Sequence, residues 1–512
     1  MTRLRLLAFW ALAIALLCAH VVVVWHSLTA RFWEDEAFNL TVPLNLLAGL
    51  GYSSDGALSG SAITPFDPRI STGPSVLLPV TAVLAFGVDP VIGARMVPVA
   101  YWGLLVAGLV VLGTRLAGRW VGLLAGAAPL AFNGLGSYSP IQGPADLLGE
   151  IPAAALLVWA LVVLPRRAWL AGLLVGLAVQ AKLIALLALP AFAVAMFVLA
   201  PGRGWQKLWE TVKRGWLPLV LAGVPTLLLE LWALVALGPS GFRDHLRGMR
   251  DFVRGGGQRV EPTTVTQKLD TLAAAWFVPG WLIIVVALVC AAVAVAGLVV
   301  GWRGVRDSAS GDVAGSAEST ESAESERPSS RPAGRGSWRL ALMLGCAALV
   351  GALTFVGWWS TASHTPLWVR HPAPGVLAFF PVLAIVALWG VRVLWSRGLA
   401  LRVVAAGASV VIVGSATLSV AGHVAATSTP RGETLETQRA AVEPIRQWVQ
   451  ETGTEWLAAH PWGAAVSPVV MSGAHVGLSD AANMRGVPRV TGQACDTEVL
   501  VEGPRYRVCA AP

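Results

Sequence analysis

Apolar residues in this chain gather in long unbroken runs, without the alternation of a half-buried strand or the narrow stripe of a surface helix. A helix that crosses the roughly 30 Å hydrocarbon core of a membrane needs about 20 apolar residues. The first such run is Leu6 to Trp25, preceded by Arg3 and Arg5. Further runs lie near 91–113, 120–134, 147–164, 169–200, 216–238, 276–301, 339–359, 374–396 and 402–424. Ser27-Leu28-Thr29-Ala30 is a poor cleavage site, so the first run reads as a retained anchor and not a signal peptide.

One run decides the count. As a single helix, 169–200 would be about 48 Å long, well beyond a hydrocarbon core of roughly 30 Å. Lys182 would fall near its middle, where a lysine costs about 3 kcal/mol. Two shorter helices meeting near Lys182 avoid that cost and bring the ammonium to the outer surface. The pattern therefore predicts an all-α polytopic membrane protein of about eleven spans. The loops at Arg115/Arg119, Arg166/Arg167, Arg203/Lys207/Lys213/Arg214 and Arg392/Arg397/Arg402 then share one side with the N-terminus. By the positive-inside rule that side is cytoplasmic.

Between the spans, 303–338 is rich in Ser, Ala and Glu and reads as a disordered cytoplasmic linker. The stretch 29–90 reads as a long first extracytoplasmic loop, whose Leu77–Gly87 piece lies at the interface or re-enters. Residues 1–424 thus form the membrane domain. Residues 425–512 are less apolar and predict a small extracytoplasmic α/β domain, with a helix over Glu433–Gln450 followed by short strands. Cys495 and Cys509 fall within it, either bridged or as two unpaired thiols.

Composition excludes the main alternatives. Of 512 residues, 55% are hydrophobic and only 13% charged, with a mean hydropathy of +0.67. A soluble domain averages roughly a quarter charged residues, and a disordered chain is far less apolar. The net charge of +8 fits basic cytoplasmic loops and does not call for a nucleic-acid partner. Five cysteines make no disulfide scaffold. No phosphate-cradling glycine loop, dinucleotide fingerprint or His/Cys metal spacing occurs.

Candidate chemistry starts just after the first run, at Glu34-Asp35-Glu36. An Asp alone costs roughly 2.5–3.5 kcal/mol in hydrocarbon, so the triplet faces water or a polar cavity. Consecutive residues do not share one helix face, so the three are not automatically one site. Asn133, Gln142, Asp146 and Glu150 cluster around an outer turn, where they line a cavity or cap a helix. Arg243, Arg247, Arg250 and Arg254 form one helical stripe. That stripe suits either an anionic phosphate or glycan, or headgroups reached by snorkelling. His20 and His423 read as packing residues, and Trp358, Trp359 and Trp368 as an interfacial belt.

The sequence also resembles the GT-C membrane glycosyltransferases. That group includes protein O-mannosyltransferases, the lipid A aminoarabinose transferase and bacterial members with the RgtA/B/C/D-like domain. The resemblance rests on Asp35-Glu36, Thr72-Gly73-Pro74 with Leu78-Pro79, Phe86-Gly87, Gly93-Ala94-Arg95, the stretch from Ala171-Gly172 through Gly176 and Lys182 to Pro190, and Arg370-His371-Pro372 with Pro374. It covers roughly residues 1–400. It implies transfer of a sugar, with inversion, from a polyprenyl-phosphate carrier to an acceptor hydroxyl of a glycan, lipid or protein, on the extracytoplasmic face.

In that scheme Asp35 is the base and Glu36 its support. Arg370, Lys182 and His371 bind the leaving phosphate. Glu34, Asp146, Glu150, Arg243 and Arg247 line the substrate cavity. No metal or other cofactor is expected. A lipid-linked ligase or polymerase, and a transporter of lipid-linked substrates, are the alternatives.

Overall fold

The apolar runs fold as helices. The computed structural model describes residues 2–57, 61–133, 141, 143–254, 261–314, 334–429, 432–461 and 463–511. Helix α1 (Thr2–Thr29) is followed by α2 (Glu34–Leu47), a two-stranded ribbon of β1 (Ser53–Ser54) and β2 (Thr64–Pro65), and α3 (Pro74–Leu84). Then come α4 (Pro90–Ala117), α5 (Arg119–Ala127), α6 (Glu150–Val163), α7 (Ala168–Ala181), α8 (Leu189–Leu199) and α9 (Gly204–Arg254). The membrane part closes with α10 (Val265–Ala274), α11 (Gly280–Ala314), α12 (Gly334–Thr361), α13 (Ala373–Trp395) and α14 (Leu399–Ser428).

Among the described residues, seven helices are long and apolar enough to cross a membrane: α1, α4, α9, α11, α12, α13 and α14. The other four expected spans are shorter. Helix α5 gives way to a 3-10 turn over Ala128–Ala131, and a 3-10 turn over Leu183–Ala188 leads into α8. Helices α6 and α7 have 14 residues each, so each rises about 21 Å, less than a core of roughly 30 Å. Short helices are tolerated at membrane depth when protein encloses them. Nearly every residue of α6 is buried, from Glu150 to Val162.

The run 169–200 breaks where the lysine stands. Helix α7 ends at Ala181, and Lys182 is extended, at φ −152° and ψ 118°. Two other boundaries differ from expectation. Helix α9 continues through a kink at Gly238 (φ 69°) and carries the arginine stripe beyond it. Helix α11 runs on to Ala314 and α12 resumes at Gly334, so helix enters both ends of the 303–338 stretch. Residues 315–333 and Gln142 lie outside the described residues.

The connections sort to two ends of the bundle. At one end Arg392 donates to the Ala117 carbonyl (3.0 Å) and Arg115 to that of Val162 (3.0 Å), joining basic loops. At the other end Phe132 bridges Trp276, Thr72 bridges Lys182, and Ala30 bridges Thr434. His20 and His423 do pack inside: the first contacts the Gly126 carbonyl and accepts from Trp102, and the second lies against the Phe277 ring.

Over the second end sits the C-terminal region. Helix α15 (Leu435–Thr452) buries Leu435, Val442, Ile445 and Val449 and is capped by Thr434. It precedes β3 (Trp456–Ala459), α16 (Val466–Ser472), β4 (His475–Leu478), β5 (Arg489–Thr491), β6 (Val499–Glu502) and β7 (Arg507–Cys509). The sheet order is β4-β3-β5-β7-β6, parallel across β4, β3 and β5 and antiparallel beyond. Cys495 and Cys509 are disulfide-bonded.

Side chains of the first loop cover the exposed edge of β4. Asp55 accepts from the Val476 amide (2.9 Å) and Ser61 from that of Leu478 (2.7 Å). An edge strand so covered is closed to further pairing. Gln438 and Phe32 exchange two hydrogen bonds of 2.9 Å, and one buried core runs from the helices into the sheet.

Candidate active site

The acidic triplet opens α2, where the positive end of the helix dipole favours carboxylates. Successive helical positions turn by about 100°, so the three side chains part. Glu34 turns back to Arg31 (2.6 Å). Glu36 points into the protein, fully buried, and meets Arg95 in a two-pronged ion pair of 3.0 and 2.6 Å. The Leu147 amide also donates to it (3.1 Å). Arg95 spends its other donors on the carbonyls of Leu28, Ala30 and Arg31. Glu36 is thus enclosed by protein, its carboxylate held by Arg95 and the Leu147 amide.

Asp35 takes the third direction. It lies against Arg370 Nη1 in a direct ion pair, and both side chains keep some exposure, 15% and 10%. Arg370 stands in the turn before α13, with its guanidinium 4.6 Å from the centre of the Trp368 ring. A planar cation held on an aromatic face keeps its hydrogen-bonding edge free to point at an anion.

Lys182 completes the cluster. Its ammonium pairs with Glu150 (2.9 Å) and donates to Ser71 Oγ (2.7 Å). Two glycines let the backbone close on it. A Cβ on Gly73 would stand 2.1 Å from the Gln180 carbonyl oxygen, and one on Gly149 would stand 2.0 Å from that of Ala181. The Gly73 amide donates to the Ala181 carbonyl (3.1 Å). Asn39 ties the same strand to α2 through Thr72 Oγ1 (3.0 Å) and the Leu147 carbonyl (2.6 Å).

His371 is buried next to Arg370, and its Nδ1 has no hydrogen-bond partner among the described residues. Burial, reinforced by the charges of Arg370, Lys182 and Lys268, holds its pKa well below the usual imidazole range. That shift favours the neutral imidazole over the cation expected for phosphate binding.

Of the remaining expected residues, Glu150 joins the cluster through Lys182. Asp146 is buried and acts electrostatically on Arg95, which places it under the scaffold of α2. Arg243 and Arg247 stay outside. Both are exposed on α9 past its kink, and Arg247 pairs with Asp244 on its own helix (2.8 Å). A helical stripe fixes which residues share a face but not which way the face looks, and here Phe242 and His245 take the inward side.

Two participants were not singled out from sequence: Ser71, which leaves no pattern, and Arg95 as the partner of Glu36. Arg95 did carry a signal, as an arginine inside an apolar run. Among the described residues no group of three or more His, Cys, Asp or Glu side chains could hold a metal ion.

Comparison with known proteins rests on shape. No family model matches the sequence, and no curated protein matches it. The structure is similar to ArnT from Cupriavidus metallidurans in the apo state, with 13% identity and a TM-score of 0.55, over 97% of each chain. It is equally similar to ArnT from Cupriavidus metallidurans bound to undecaprenyl phosphate: 14% identity and a TM-score of 0.55, over 99% of this chain and 97% of the other. Over nearly its whole length, this chain has the fold of those ArnT structures.

Proposed function

We propose that this protein is an inverting glycosyltransferase that moves a sugar from a polyprenyl-phosphate carrier to an acceptor hydroxyl. The carrying observation is a pair of adjoining ion pairs, Asp35 with Arg370 and Glu150 with Lys182, the first of them partly open to solvent. Asp35 takes the acceptor hydroxyl proton as its oxygen attacks the sugar carbon. The bond from that carbon to the phosphate oxygen breaks on the opposite side. Arg370 and Lys182 receive the departing lipid phosphate, where fixed cations stabilise the developing charge.

The Asp35–Arg370 pair suggests an order of events. A donor phosphate competes for the guanidinium and releases the carboxylate, so the base is freed when there is something to react with. The similarity to ArnT bound to undecaprenyl phosphate supports a carrier of that class.

The membrane reading of sidedness belongs to the same proposal. Basic loops gather at one end of the bundle, and the site and C-terminal domain at the other. The positive-inside rule makes the first end cytoplasmic, and the Cys495–Cys509 bridge suits an oxidising compartment at the second. The acceptor is a glycan, lipid or protein hydroxyl.

The test is transfer from a labelled polyprenyl-phosphate sugar by purified protein in nanodiscs. Asp35→Asn is expected to lose about 10²–10⁴-fold in rate, the usual worth of a positioned base, while still binding the carrier phosphate. Transfer by Asp35→Asn at the wild-type rate would end the proposal. So would movement of the intact lipid-linked sugar across a bilayer without any covalent product.

A further inference from the structure

A cleft of about 1280 Å³ opens in the C-terminal region, and the Asp35–Arg370 pair is not part of its wall. Arg31 of the first loop closes one side of it, and its other charged or polar walls include Glu433, His460, Arg489, Asp496, Arg505 and Tyr506. We propose that this cleft seats an anionic saccharide, the acceptor of the reaction proposed above, on which this assignment rests.

Three features point to it. First, an ion-pair chain joins the cleft to the acidic start of α2. Glu433, nearly buried, accepts from Tyr506 (3.2 Å) and pairs with Arg31 Nε (3.1 Å), and Arg31 in turn pairs with Glu34 (2.6 Å), the neighbour of Asp35.

Second, two arginines on its rim have donors to spare. Among the described residues the Arg489 guanidinium pairs with Asp496 alone, at 3.4 Å, and that carboxylate is 90% exposed. Arg505 stands 3.5 Å from Glu433, whose charge is already shared with Arg31. Charge-assisted bonds of full strength are roughly 2.7–2.9 Å long, and a guanidinium has five donors. Both side chains remain open to an incoming oxyanion.

Third, the wall chemistry suits a sugar better than a lipid tail. The wall formed by Thr491, Gly492, Gln493 and Ala494 presents peptide groups, a hydroxyl and an amide. The disulfide at Cys495 pins the end of this segment to β7. The volume exceeds the roughly 300–1,000 Å³ of a small-molecule pocket, which leaves room for more than one ring.

The experiment uses the full chain in nanodiscs and three trisaccharides: one bearing uronates, one phosphorylated and one neutral. A charged trisaccharide is expected to bind, and the double variant Arg489→Gln/Arg505→Gln to weaken it about tenfold, as loss of charged hydrogen bonds does. Asp496→Asn, which releases Arg489, is expected to tighten it about twofold. Which charged probe binds better identifies the acceptor's anion as carboxylate or phosphate.

Binding of undecaprenyl phosphate, measured on the same preparations, is expected to stay unchanged in both variants and certifies their fold. The assignment is overturned if no charged trisaccharide binds, if the neutral one binds as well, or if the double variant binds like wild type. Saccharide binding by a protein that ignores undecaprenyl phosphate would instead sink the glycosyl-transfer reading and leave the cleft assignment standing.

Discussion

Two ion pairs begin one residue apart in the first turn of α2 and do opposite things. Glu36–Arg95 is sealed, with 0% and 1% of the side chains exposed and the arginine's donors consumed by backbone carbonyls. Asp35–Arg370 is a single contact that keeps some exposure, with Trp368 against the guanidinium. A sealed pair cannot exchange partners without unfolding its surroundings. An open pair can, and exchange is what a phosphate-binding arginine and a proton-accepting carboxylate require. Burial and partner count, more than charge, separate scaffold from chemistry.

The sharpest way to break this contrast is to cut each pair once. Arg95→Ala leaves the Glu36 carboxylate buried alone, and orphaning a buried charge costs about 3–5 kcal/mol. It is expected to abolish the folded protein, or to lower its melting temperature steeply in a thermal scan. Arg370→Gln leaves Asp35 with access to solvent. Its melting temperature is expected to stay near wild type while sugar transfer falls about 10²–10³-fold, as when one charge-stabilising donor is lost. Equal melting temperatures for the two variants would erase the distinction.

A smaller effect tests the lid over the site. Cys495→Ser/Cys509→Ser opens a short loop in the C-terminal sheet, where a bridge is worth about 2–3 kcal/mol. Proteolysis after β5 is expected to quicken while the helical bundle keeps its protection.

The smallest effect concerns pH. His475 hydrogen-bonds Asp55 (3.1 Å) on the first loop, which raises its pKa above the ordinary imidazole value, with added attraction from Glu455. A raised histidine pKa stabilises fully below the unfolded value, about 6.5, and the contribution disappears as pH climbs through the folded value. Amide exchange at Val476 is therefore expected to quicken as pH rises past that window, beyond the intrinsic change in exchange rate. His475→Gln is expected to remove the excess.

Much of the fold was readable because membranes punish ambiguity. Apolar runs of spanning length have few other uses, and a lysine in mid-run forces a break, so the α7–α8 interruption at Lys182 was visible before any coordinates. The amphipathic α15 and the sheet after it followed from the fall in hydropathy. The arginine stripe was visible as a face, but its orientation depends on His245 packing against Phe66 of the first loop and is not written in the stripe.

Within the candidate site, the sequence alone located the carboxylate triplet, the broken span and the late Arg370-His371 pair. It also determined that the three carboxylates must diverge, because helical geometry acts between neighbours. Only the tertiary structure decided which carboxylate is scaffold and which is open. Their partners arrive from 59 and 335 residues away. It alone revealed what lowers the His371 pKa, since that depends on burial and on cations contributed by other segments. Local rules fix where a side chain starts, and the charge and solvent it meets are properties of whatever the rest of the chain brings alongside.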